Sequence, residues 1–314
     1  MIKVTDLSKK YAEVQAVNSI NFEIPGGQIV GFLGANGAGK TTTLKMITGY
    51  LVPTSGTVEV DDLNILIHPR EIQKRIGYLP ELNPLYSEMM VHDYLSFIAD
   101  IRGIRGKEFK SALHRITDQC GLKGVVHRPI GECSKGYKQR IGLAAAMIHD
   151  PDILILDEPV TGLDPNQIVE IRELIKNLGK EKLVLMSSHI LQEIQATVDR
   201  IIIINEGVIV ADGTNEELMS NFMGNVLLTM ETNLSTDDTI KELTEVLPDV
   251  LMKSLEAIPN GHKIHLEYSR ETDPREKIYR YAVDKNWVIL SMTPHTANLE
   301  DIFRNLTVKE ENDA

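Results

Sequence analysis

Apolar and polar residues alternate in short runs over residues 1–30: Ile2 with Val4, Val14 with Ala16, and Ile20 with Phe22 and Ile24, before the turn Pro25-Gly26-Gly27. A period of two marks half-buried strands, and turn residues between them point to antiparallel pairing. Later runs are apolar almost throughout: Gln28–Leu33, Ile76–Leu79 (stopped by Pro80), Ile153–Leu156, Leu183–Met186 and Ile201–Ile204. Strands buried on both faces of a parallel sheet have this appearance. Between them the apolar spacing changes to three and four, predicting helices at Leu44–Ile47, Val91–Ala99, Phe109–Cys120, from Ser134 to Ile148, across Ile168, Ile171, Ile175 and Leu178, and over Leu191–Val198. Strands alternating with helices give an α/β class with a helical insert at about residues 85–148. A hairpin (Arg200–Asn205, Val208–Ala211) and a helix opened by Thr214-Asn215-Glu216-Glu217 close this unit near residue 219. From 221 to 314 the pattern restarts, with strands at 225–230, 262–268 and 287–292 and helices at 236–247 and 274–285, as in a small α/β appendage.

The buried run at Gln28–Leu33 leads into Gly34-Ala35-Asn36-Gly37-Ala38-Gly39-Lys40-Thr41, with Thr42 after it. This fills the G-x-x-x-x-G-K-[ST] pattern of a phosphate-binding loop in its required strand–loop–helix setting. Glycines let successive N–H groups converge on one pyrophosphate, and the following helix adds the positive end of its dipole. Lys40 supplies a cation for β- and γ-phosphates, and the Thr41 hydroxyl is a ligand for Mg²⁺.

Other candidates stand at strand ends, where α/β sheets bind ligands. Ile153–Leu156 runs into Asp157 and Glu158. Asp157 suits a metal ion or its water shell, and Glu158 suits a proton from an attacking water; the alternative, a solvated acidic turn capping the next helix, is disfavoured by the phosphate loop in the same chain. His189 follows a further strand, as a structural histidine or as part of the same site. Ser134 is a natural N-cap, and a helix start with a free hydroxyl also suits an anion. In Thr161-Gly162-Leu163-Asp164-Pro165, Asp164 is expected to cap a helix with Pro165 in its first turn. Tyr11 has the character either of an adenine-stacking ring or of a half-exposed strand tyrosine.

Composition narrows the class. The net charge is −12, and the appendage, with 10 Lys or Arg against 17 Asp or Glu, carries −7 of it. That balance argues against broad neutralisation of nucleic-acid phosphates. The cysteines, Cys120 and Cys133, form neither a disulfide framework nor a metal spacing, which suggests a reducing cytosol. No apolar run approaches 18 residues and the N-terminus has no signal-peptide core, so any membrane work would use another chain to span the bilayer.

Taken in order, the phosphate loop, helical insert, Ser134-Lys135-Gly136-Tyr137-Lys138-Gln139-Arg140, the strand ending in Asp157-Glu158, and His189 resemble the ATP-binding subunit of ABC transporters over residues 1–219. The resemblance implies a P-loop NTPase with a RecA-like core, an N-terminal antiparallel β subdomain and a helical subdomain. It also implies ATP and Mg²⁺ as cofactors, catalytic roles for Lys40, Glu158 and His189, and Thr41 and Asp157 at the metal. Ser134, Lys135, Gly136 and Tyr137 fall at the family's signature, Asp164 in its D-loop, and Tyr11 where the family stacks adenine. Two such subunits, a homodimer here, would face head to tail and drive an integral-membrane permease from the cytoplasmic face. The wording of Ser134–Arg140 and of Gly162–Arg172 is similar to the gliding-motility-associated export subunit of Bacteroidetes, and Leu299–Phe303 resembles the end of such appendages. Two positions depart from the family: Lys135-Gly136-Tyr137 stands for the usual Gly-Gly-Gln, and Glu81 stands where a loop glutamine is usual. Glu81 either serves the metal site in its place or faces the membrane partner. A soluble ATPase acting on ribosomes or DNA is the alternative.

Overall fold

The structure is a computed structural model that describes residues 1–222, 226–233, 235–259, 261–269, 272–295, 299–300, 303 and 306. Residues Met1–Asn215 form one compact unit and Glu216–Asn305 a second. In the first, β1 (Ile2–Tyr11), β2 (Val14–Ile24) and β3 (Ile29–Leu33) precede α1 (Lys40–Ile47). Then come β4 (Ser55–Val60), β5 (Leu63–Asn64), α2 (Pro69–Arg75) and β6 (Ile76–Leu79). The helical insert holds α3 (Val91–Ile101), α4 (Gly106–Gln119) and α5 (Lys135–Met147). The chain returns through β7 (Ile153–Leu156), α6 (Pro165–Gly179), β8 (Leu183–Ser188), α7 (Leu191–Gln195), β9 (Arg200–Asn205) and β10 (Val208–Gly213).

One sheet has the order β2-β1-β4-β5, and its pairings are antiparallel. The other has the order β10-β9-β3-β8-β7-β6, parallel except for β10 at one edge. A shared core joins them. Ile2, Val4, Leu7, Ile20 and Phe22 from the first sheet meet Leu44 and Met46 of α1, and Val30, Phe32, Ile155, Leu185 and Ile202 of the second. Successive strand residues point to opposite faces, so alternate residues of each all-apolar run enter this core. The residues between them are also buried, which is why those runs carry no polar position.

β1 and β2 run longer than the alternation suggested. Asp6 and Ser19 adopt φ of 48° and 46°, and the β1–β2 register shifts beyond Val4. Such a bulge switches the parity of inward residues, from Ile2 and Val4 to Leu7, so one strand reads as two short runs. α2 and β5 carried too few apolar residues to be seen. α7 ends at Gln195 rather than Val198, and Ile168 is half-buried while Leu174 takes the inward position. Ser134 and Asp164 cap α5 and α6 as expected: the Ser134 hydroxyl accepts from Tyr137 N at 3.3 Å, and Asp164 from Gln167 N at 3.0 Å.

After α8 (Asn215–Phe222), the second unit contains β11 (Val226–Asn233), α9 (Asp237–Val246), β12 (Val250–Ile258), β13 (Gly261–Tyr268), α10 (Arg275–Asp284) and β14 (Val288–His295). Its antiparallel sheet has the order β12-β13-β11-β14, and Leu228, Met230, Ile264 and Leu266 pack with Ile240 and Leu243 of α9 and Ile278 of α10. The strand β12 corrects the sequence reading, which had three strands here. A register shift between Met252 and Ser254 breaks its alternation, and only Val250 of this edge strand is buried. The strand predicted from residue 225 begins at Val226, residue 225 lying outside the described residues. Of the closing segment Leu299–Phe303, Asp301 and Ile302 also lie outside them.

One half-buried residue ties α5 to the sheet. His149 Nε2 donates to Ile76 O at 3.2 Å, and its buried Nδ1 has no partner. Burial, and then the Arg102 charge, push the imidazole down to about 4, against the opposing pull of the Ile76 carbonyl. The folded ring therefore stays neutral where an unfolded one, titrating near 6.5, takes a proton. Stability from this group is complete above about pH 6.5 and falls as pH drops towards 4. Part of the ring faces water, so the loss should be about 1–2 kcal/mol. In thermal melts from pH 4 to 7, His149→Gln, which can still donate to Ile76, should lose less stability on acidification than the parent.

Candidate functional site

The carboxyl ends of β3, β8 and β7 lie side by side, and the loops leaving them build one cleft of about 550 Å³. Asn36, Gly37, Gly39, Lys40, Thr41, Thr42, Glu81, Glu158 and His189 all line it. The phosphate loop holds Gly37 at φ 83° and Gly39 at φ 108°; a Cβ on Gly39 would come 2.6 Å from Ala16 O. Gly34 and Ala38 are buried on the inner side of the same loop, and Ala35 between them is exposed. Gly34 N donates to Ser188 O at 3.3 Å, Ala38 N to Ala35 O at 3.1 Å, and Gly207 N to Ala38 O at 3.0 Å. Gly39, the residue before α1, supplies no side-chain cap, so the first turn of the helix faces the cleft with N–H donors characteristic of an anion site.

Lys40 and Glu158 are each 6% exposed, with Nζ 3.4 Å from Oε1. The ammonium also donates to Gly34 O at 2.8 Å and Ala35 O at 3.2 Å. Glu158 sits at φ 50°, a strained conformation for its type, and Ser187 Oγ accepts its N–H at 3.0 Å. Its other oxygen accepts from Thr161 Oγ1 at 3.1 Å and lies 2.9 Å from His189 Nδ1. A cation and amides able to hold a phosphate thus stand beside a carboxylate–imidazole pair able to hold or move a proton.

Asp157 is fully buried. Its Oδ1 accepts from Ser187 Oγ at 2.7 Å and Thr41 Oγ1 at 3.2 Å, and its Oδ2 has no partner. A buried carboxylate oxygen left unpaired is costly. Beside a threonine hydroxyl and a phosphate cradle, that free oxygen fits the hard oxygen set that Mg²⁺ takes.

The remaining candidates lie elsewhere. Ser134, Gly136, Tyr137 and Asp164 line a second cleft of about 520 Å³ with Arg140 and Gln167, and it shares no lining residue with the first. A Cβ on Gly136 would come 2.7 Å from Gln167 Cδ, so α5 and α6 approach closely there. The Lys135 ammonium rests over Gly162 of its own chain. Tyr11 is 46% exposed at the end of β1, with Lys9 Nζ 5.3 Å from its ring centroid, and it does not line the first cleft; Ala16 does. Thr161, Arg140 and Glu170 (paired with Arg140 at 2.7 Å) stood within the sequence motifs without a role of their own, and Ser187 was given none. The one signal for Ser187 was a small polar residue ending an apolar strand.

A strand–loop–helix phosphate cradle beside a strand that ends in Asp-Glu defines a P-loop nucleoside triphosphatase. Comparison with known proteins narrows this. Residues 17–161 match the ABC transporter family. The chain is 43% identical to the bacitracin transport ATP-binding protein BcrA of Bacillus licheniformis over 66% of its own length and 67% of that protein. It is 30% identical to the Nod factor export ATP-binding protein I of Burkholderia orbicola over 99% and 98% of the two chains. A solved ATP-binding subunit of an ABC transporter superposes with a TM-score of 0.64 at 29% identity, covering 71% of this chain and 93% of that one. The chain belongs to the ABC transporter family as an ATP-binding subunit, and it is an ATPase. Among the described residues no helix is long and apolar enough to cross a membrane.

Gly39→Ala tests the cradle. A methyl at φ 108° and 2.6 Å from Ala16 O should cost about 1–3 kcal/mol in a denaturant melt and weaken ATP binding at least about tenfold in a fluorescent-nucleotide titration.

Proposed function

We propose that this chain powers an export-type membrane permease by closing head to tail with a second copy around ATP, on the cytoplasmic face of the membrane. The observation that carries the reading is the division of the site. Lys40 and Ser134 belong to two clefts of one chain with no lining residue in common. Two copies related by a twofold axis would bring the first cleft of each against the second cleft of its mate. A γ-phosphate stripped of water then gains Ser134, Gly136 and Tyr137 from the partner copy. ATP favours the closed pair because neither half-site alone satisfies it, and hydrolysis removes that preference. The difference between the two states is what moves the permease.

Within the closed pair, Lys40 leaves Glu158 for the β- and γ-phosphates. Glu158 takes a proton from the attacking water, and His189 holds the γ-phosphate. Thr41 and Asp157, with Glu81 at the cleft wall, would hold Mg²⁺, which when bound offsets charge on the phosphate oxygens. Tyr11 would stack on the adenine, and Lys135 and Asp164 would border the shared interface. The export reading draws on the relatives named for bacitracin transport and Nod factor export, and the net charge of −12 counts against a ribosome- or DNA-bound role. The gliding-motility assignment rests on the wording of Ser134–Arg140 and Gly162–Arg172. Residues 1–219 would act as the ATP-binding domain and 221–314 as an appendage to it.

Glu158→Gln should hold an ATP-dependent dimer in size-exclusion chromatography with hydrolysis reduced on the order of a thousandfold. Full turnover with ATP binding intact would remove Glu158 from its role. Ser134→Ala should weaken ATP-driven pairing in sedimentation more than it weakens ATP binding by the monomer. Equal losses in both measurements would count against a shared site.

A further inference from the structure

We infer that Glu193, which lines neither cleft, is a positioning residue for ATP hydrolysis that acts through Ser188 on His189. Two consecutive serines end β8, both fully buried. Neighbouring strand residues point to opposite faces. Ser187 accordingly reaches Asp157 and the Glu158 amide, while Ser188 turns the other way. Its hydroxyl donates to Glu193 Oε2 at 2.7 Å and accepts the Ile190 N–H at 3.0 Å. The Ser188 carbonyl accepts from Gly34 N of the phosphate loop at 3.3 Å. His189 is therefore held on both sides: residue 188 is tied to the phosphate loop and to α7, and residue 190 is tied back to residue 188.

Glu193 is the anchor of this arrangement. It is 8% exposed, in the middle of α7, and its carboxyl titrates above the usual range, chiefly through burial. A leucine would fill that volume without desolvating a carboxylate. What the carboxylate adds is a strong acceptor that fixes the Ser188 hydroxyl, and so the turn that sets His189 Nδ1 at 2.9 Å from Glu158 Oε2. Loosening that turn leaves the phosphate cradle intact and lets the imidazole drift from the reacting centre, so turnover should suffer and nucleotide affinity should not.

The inference rests on the role proposed above for His189, and steady-state ATP hydrolysis by the full chain separates the two. Glu193→Ala should lower kcat about tenfold with KM unchanged within about twofold. Glu193→Gln keeps an acceptor of the same shape and should restore kcat to within about twofold. In a His189→Ala background, Glu193→Ala should cause no further loss, because residues acting through one group are not additive. An equal loss in both backgrounds, a glutamine variant as impaired as the alanine, or an unchanged kcat in Glu193→Ala overturns the inference alone. Full kcat in His189→Ala ends both readings. If Glu193→Ala does not fold, Ser188→Ala combined with Glu193→Leu removes both side-chain partners of the buried pair, leaving only the Ile190 N–H without its acceptor, and should show the same fall in kcat; undiminished kcat there overturns the inference equally.

Discussion

The first unit depends on a buried opposite charge pair between two loops that leave different strands. Lys40 follows β3 and Glu158 follows β7, with β8 lying between those strands, so their approach to 3.4 Å fixes the spacing of the loops across the sheet. Taking both groups from water is costly, and their mutual attraction returns that cost only when the geometry is good and the remaining valences are met. They are met here: Gly34 and Ala35 carbonyls take the ammonium, and Thr161 and His189 take the far carboxylate oxygen. The strained backbone at Glu158 is tolerated because the Ser187 hydroxyl holds its amide. A phosphate competing for Lys40 acts on a charge already desolvated and oriented, which is a preorganised site in the electrostatic sense.

β8 contributes no catalytic side chain from within its span, yet the site is arranged about it. Its central place in the parallel order puts its last residues against both the phosphate loop and the acidic strand. The second cleft is linked to this frame through the loop after β6. Asn83 Nδ2 donates to Lys138 O at 3.0 Å, two residues beyond Gly136, and its amide occupies the space that a side chain on Gly142 would need. The segment bearing Glu81 and the helix bearing Ser134 thus share a hydrogen bond at close quarters.

Much of this was legible in the chain. The all-apolar runs could only be strands covered on both faces, and the glycine spacing with Lys40 and Thr41 leaves little choice of chemistry. Ser134 and Asp164 announced themselves as caps because a helix start needs an oxygen there. The parts that were missed share a physical cause: they are properties of pairs distant in sequence. Ser187 meets Asp157 across neighbouring strands, Arg140 meets Glu170 between helices, and no local pattern marks either partner. β12 was hidden for a different reason, its bulge having scrambled the period that makes a strand visible.

That bulge has a consequence for the second unit, where β12 and β14 are the outer strands among the described residues. At β12 the irregular backbone is joined by exposed Lys253 and Glu256, which are poorly suited to receiving a further strand. At β14, Pro294 has no N–H to offer a neighbour on either side. Both borders are thereby blunted against sticking to the borders of other molecules.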